Sequence, residues 1–139
     1  MIKIDRTEAL AEDVGNIVSM EHVNVRMPDQ SLATLFYIVG LGFTRDPYMN
    51  VALNNMWVNV GAQQFHLPTG DPQVLRGRTG LVVRDLAVLK ERLTAVQEQL
   101  KGTKFTWSDE GEYVGVTCPW GNHYHCYGPG KFGAMNLGI

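Results

Sequence analysis

The residues best suited to chemistry in this chain are its four histidines, and all four fall in alternating, strand-like runs. His123 and His125 lie two apart in His123-Tyr124-His125-Cys126-Tyr127, just after the turn residues Pro119-Trp120-Gly121-Asn122. Side chains two apart on a strand share a face, so His123, His125 and Tyr127 look one way and Tyr124 and Cys126 the other. His22 opens a second such run, with His22, Asn24 and Arg26 on one face and Val23 and Val25 on the other. In Gln63-Gln64-Phe65-His66-Leu67, His66 shares its face with Gln64. Imidazoles placed this way can carry protons near neutral pH, hydrogen-bond a bound molecule or ligate a metal. Each is equally a polar side chain on an outer strand face.

The elements that must position them follow a repeated plan. The first run ends at Pro28, and Asp29 caps a helix whose apolar stripe is Leu32, Leu35, Phe36 and Val39, ended by Gly40 and Gly42. Strands follow at Phe43 to Tyr48, Asn55 to Val60 and Gln63 to Leu67. A linker, Pro68 to Gly77, carries two prolines, two glycines and no periodicity. The plan then recurs. Thr79 to Val83 reads as a strand, and Asp85 caps a helix with Leu86, Leu89, Leu93, Val96 and Leu100 buried until Gly102. Lys104 to Ser108, Tyr113 to Thr117 and His123 to Tyr127 are the closing strands. Two copies of strand–helix–strand–strand–strand, roughly sixty residues apart, mark an internal duplication. This register sets His22 against Thr79 and His66 against His125.

Bulk properties narrow the function classes. Apolar residues make up 45% and charged residues 19%, the balance of a folded globular chain. A net charge of −2 gives no basic field for nucleic acid. No apolar run approaches the roughly 18 residues of a membrane span, and the first residues lack the apolar core of a signal peptide. Cys118 and Cys126 are expected to be free thiols in a reducing cytoplasm, with Cys126 in the core. The expected organisation is an N-terminal extension (1–17), one domain (18–128, modules 18–68 and 78–128) and a tail (129–139).

Several of these segments together resemble a known superfamily. His22-Val23-Asn24-Val25-Arg26-Met27-Pro28-Asp29, then Phe36-Tyr37 and Leu41-Gly42-Phe43, are similar to the opening module of the vicinal oxygen chelate proteins. These include glyoxalase I, bleomycin- and fosfomycin-resistance proteins and extradiol dioxygenases. Gln64-Phe65-His66-Leu67, Val83-Arg84-Asp85-Leu86 and Pro119-Trp120-Gly121-Asn122 fit the same pattern in order. The resemblance implies an α+β fold of two βαβββ modules forming a curled mixed sheet around a cleft. It also implies metal ligands from the first and last strands of both modules, which here are His22, His66, Thr79 and His125. Thr79 stands where a His is frequent and His125 where a Glu is usual.

On that resemblance, His22, His66 and His125 are the expected ligands of a divalent metal (Zn, Ni, Co or Fe). The enzyme would be a lyase, isomerase or dioxygenase acting on a small oxygenated metabolite, with His123 as a base near the metal. Arg26, Trp57, Gln64 and Thr79 are the expected substrate contacts, and Glu112 the carboxylate that completes the metal shell if its turn folds inward. The rival expectation is a metal-free protein that binds or sequesters a small molecule. A homodimer is expected in either case, with the cleft shared between chains.

Overall fold

The computed structural model describes residues 20–49 and 54–131. The expected N-terminal extension and most of the expected tail lie outside the described residues. Module one holds β1 (His22–Asn24), α1 (Gln30–Ala33) running on as a π-helical segment (Thr34–Gly40), β2 (Thr44–Arg45), β3 (Asn55–Val60) and β4 (Gln63–Pro68). Module two holds β5 (Arg78–Val82), α2 (Leu86–Val96), β6 (Thr106–Asp109), β7 (Val114–Thr117) and β8 (His123–Tyr127). Each forms a four-stranded mixed sheet, ordered β1-β4-β3-β2 and β5-β8-β7-β6. First and last strands pair parallel, and the other pairs are antiparallel. The class is α+β and the plan is duplicated. Each module contributes its own four-stranded mixed sheet, as the expected two-module plan requires, with β1 and β5 each at a sheet edge.

The caps form as their sequence suggests. Asp29 Oδ1 accepts from the N–H groups of Ser31 (2.8 Å) and Leu32 (2.9 Å), and Asp85 Oδ1 from those of Ala87 (2.8 Å) and Val88 (3.2 Å). Each satisfies two of the orphan donors at a helix start. The stripe of α2 buries Leu89, Leu93 and Val96, with Leu100 just beyond. The stripe expected for the first helix is corrected: Ala33, Phe36, Tyr37 and Gly40 are buried, while Val39 is 41% exposed. Two causes act together. The helix widens, so that the Leu41 N–H donates to Phe36 O five residues back. Gly40 then lets α2 approach closely: a Cβ there would meet Val96 Cγ2 at 3.4 Å. The strand expected over 43–48 shrinks to Thr44–Arg45, because Asp46 Oδ1 takes the N–H groups of Tyr48 and Met49 into a side-chain-capped turn.

One apolar core joins the modules. Met56, Val58, Phe65 and Leu67 supply it from sheet one, and Val114, Val116, Tyr124 and Cys126 from sheet two, with both helices between. The hydroxyls of Tyr37 and Tyr124, both buried, meet across the modules at 2.9 Å. Cys118 and Cys126 are buried free thiols, and burial pushes the Cys126 thiol up to about 12. Since strand side chains alternate, the sheet faces opposite this core carry all four histidines.

Candidate functional site

On module one, β1, β4 and β3 lie side by side, with Asn24, His66 and Trp57 in one cross-strand row and His22 and Gln64 in the next. The His66 ring stacks on Trp57 (centroids 4.2 Å apart, planes 13° apart). His22 meets the Trp57 ring at a steep angle (4.8 Å, 62°), and the two imidazoles are 6.5 Å apart. His66 Nδ1 lies 2.8 Å from Asn24 Oδ1, and Nε2 lies 2.6 Å from Asn55 Oδ1. Desolvation, then the neighbouring His22, lowers the His66 pKa, so the neutral ring is favoured. A neutral imidazole has a single N–H, so one of the two amides must turn its NH2 toward the ring. Both ring nitrogens are then in use. His22 Nδ1 contacts the Glu21 carboxylate. The Gln64 amide is held by Asp46 and Asn59, and Arg26 is exposed with its side chain along Gly70.

Module two repeats the arrangement with different side chains. His125 sits between Gly80 on β5 and Gly115 on β7, and its ring stacks on Tyr113 (4.0 Å, 13°). Tyr127 OH lies 3.5 Å from His125 Nδ1. His123 pairs in register with Arg78 and Thr117, and its Nδ1 lies 3.0 Å from Thr117 Oγ1. Arg78, His123, His125, Tyr113 and Glu110 line one cavity of about 420 Å³. Desolvation lowers the His125 pKa; Arg78 and His123 lower it further, and Glu110 opposes them. The Arg78 side chain makes no hydrogen bond or ion pair with the described residues.

The strand registers correct one expectation. His22 pairs with Gln64, two before His66; the residue paired two before His125, opposite His123, is Arg78. Thr79 pairs with Tyr124 instead, which puts it on the core side of β5, away from His125. The signal was available in the sequence: His22 precedes its cap Asp29 by the same interval as Arg78 precedes Asp85. Gly80, Gly115 and Tyr113 were also missed, because they become neighbours of His125 only once the strands pair.

Whether these residues fit a metal can be tested on the donors present. His66 has both nitrogens bonded to side-chain amides, and a guanidinium occupies the fourth position. Among the described residues no group of three or more His, Cys, Asp or Glu is placed to share an ion. Glu112 turns to Lys131 (3.5 Å) rather than to a histidine. Among the described residues of one chain the donor set does not fit a metal.

No family model matches the chain, and no curated protein matches it. Solved structures do. The genomically encoded fosfomycin resistance protein of Listeria monocytogenes is 11% identical, with a TM-score of 0.59 over 81% of this chain and 91% of that one. Lactoylglutathione lyase from Agrobacterium tumefaciens is 15% identical, with a TM-score of 0.55 over 87% of this chain and 100% of that one. A glyoxalase/bleomycin resistance protein/dioxygenase from Nocardioides is 14% identical, with a TM-score of 0.51 over 88% of this chain and 91% of that one. At such identities the likeness is one of fold, and it runs through both modules. The chain shares its two-module fold with these glyoxalase- and fosfomycin-resistance-type structures.

Proposed function

We propose that this protein binds a small planar molecule on its histidine-bearing sheet faces without a resident metal. The observation that carries this reading is Arg78 at the position matching His22. A guanidinium stays charged at any working pH. At about 4 Å and an effective dielectric near 20, like unit charges repel by roughly 4 kcal/mol, and a dication doubles that. What the faces offer is imidazole–aromatic stacking, His66 on Trp57 and His125 on Tyr113, suited to a flat ring. The edge strands β1 and β5 support a homodimer in which His22 and His66 of one copy meet His125 of the other.

A specific contact favours the metal-dependent reading. Glu21 on His22 Nδ1 would fix the tautomer that presents Nε2 outward, as in carboxylate–histidine–metal arrangements. The two readings separate in one experiment. Protein purified without added metal is analysed for Zn, Ni, Co and Fe, alongside His22→Ala and His125→Ala, and titrated with phenol in chelator while tryptophan fluorescence is followed in a Trp107→Phe, Trp120→Phe background that leaves Trp57 as the reporter. Our reading predicts substoichiometric metal and phenol quenching that survives the chelator. Stoichiometric metal lost in both variants, or quenching abolished by chelator, overturns it in favour of a metal-dependent lyase, isomerase or dioxygenase.

A further inference from the structure

We infer that the module-two face is a site for a planar organic carboxylate, with Arg78 holding the anion and the ring lying over Gly80, His125 and Gly115. This rests on the metal-free reading and assigns its ligand class. Two independent observations carry it.

The first is the pair of glycines. Gly80 and Gly115 sit inside β5 and β7, flanking His125 on the open face. Glycine inside a strand weakens it, so its presence calls for a cause. Neither residue has a positive φ. A Cβ at Gly80 would meet only Tyr127 Cε2 at 3.9 Å among the described residues, and one at Gly115 would have as nearest neighbours Ser108 Oγ and Tyr113 Cε2 at 3.6 Å and Ser108 O at 4.0 Å. Those are ordinary contacts. Neither backbone conformation nor internal packing therefore demands glycine at either site. A flat molecule resting directly on the strands would demand it at both.

The second is the isolated guanidinium. Arg78 stands two residues from Gly80, roughly 6.6 Å along the same face, lines one cavity with His125 and Gly115, and has no ion-pair partner among the described residues. A carboxylate is the group its paired N–H donors fit best. Glu110, the other fixed charge lining this cavity, accepts from Ser108 Oγ at 2.6 Å and forms no ion pair with Arg78. Its charge would disfavour dianions and leaves room for one carboxylate. The Tyr113–His125 stack closes the side of the ring site.

The test is a matched pair of probes, benzoate and benzamide, titrated into the full chain in chelator and followed by amide and imidazole NMR shifts. The wild type should shift His125 and Gly115 with both probes and bind benzoate about tenfold more tightly. Arg78→Gln should abolish the preference while keeping weak binding of both. Gly115→Ala should weaken both probes together with no fall in thermal midpoint. Equal affinities in wild type, a preference that survives Arg78→Gln, or no shift at His125 would each overturn the inference. Metal content, measured separately, decides the metal-free reading whichever way the probes fall.

Discussion

Two imidazoles of opposite modules, His66 and His125, are each stacked on an aromatic ring and each held below the usual histidine pKa, chiefly by desolvation. The consequence for stability has a definite sign. An imidazole whose folded pKa is depressed is protonated more readily in the unfolded chain, so its contribution is present above the unfolded value, near 6.5. It is lost as pH falls below that value toward the folded pKa. The denaturation midpoint should therefore drop as pH falls through and below about 6.5, and His66→Gln with His125→Gln should flatten that slope. An equally steep slope in the double variant would assign the dependence to other groups. The same residues show how sequence and structure divide the work. Their common face follows from alternation alone. Their stacking partners, Trp57 and Tyr113, depend on which strands pair.

At the level of elements, the caps are the most legible feature. Replacing Asp29 by Ala frees the N–H groups of Ser31 and Leu32 and should cost about 1 kcal/mol, read as a lower denaturation midpoint. No change would mean that the helix starts without it. The stripe of α2 was readable because its turns are regular. That of the first helix was not, since Thr34–Gly40 widens and the 3.6-residue repeat no longer points to the buried side. The register of β5 was readable from the equal spacing of His22 and Arg78 to their caps. The strand pattern beginning at Thr79 hid it, because Arg78 is a charged residue at the strand's first position. Periodicity thus delivers which residues share a face. Hydrogen-bonded pairing decides which faces meet.

For the whole molecule, one core joins two sheets that hold their polar faces outward, and the buried Tyr37–Tyr124 hydroxyl pair ties the modules within it. Burial raises both phenol pKa values, so both stay neutral and bonded to each other. Tyr124→Phe leaves the Tyr37 hydroxyl buried without this partner and should cost about 1–3 kcal/mol, whereas the double Phe variant should cost no more than the single one. A double variant clearly less stable than Tyr124→Phe would show that the pair is not the unit that matters. The duplication itself was visible in the sequence; the divergence of its two faces, amide and indole against guanidinium and glycine, emerged from the paired strands. That divergence is the ground for assigning ligand binding without a metal. It is tested most directly by following the ¹⁵N imidazole signals of His22, His66 and His125 while Zn(II) is added to the full-length protein. The signals are predicted to hold their positions through one equivalent. A concerted shift of all three that saturates at one ion per chain would contradict the assignment and restore the metal.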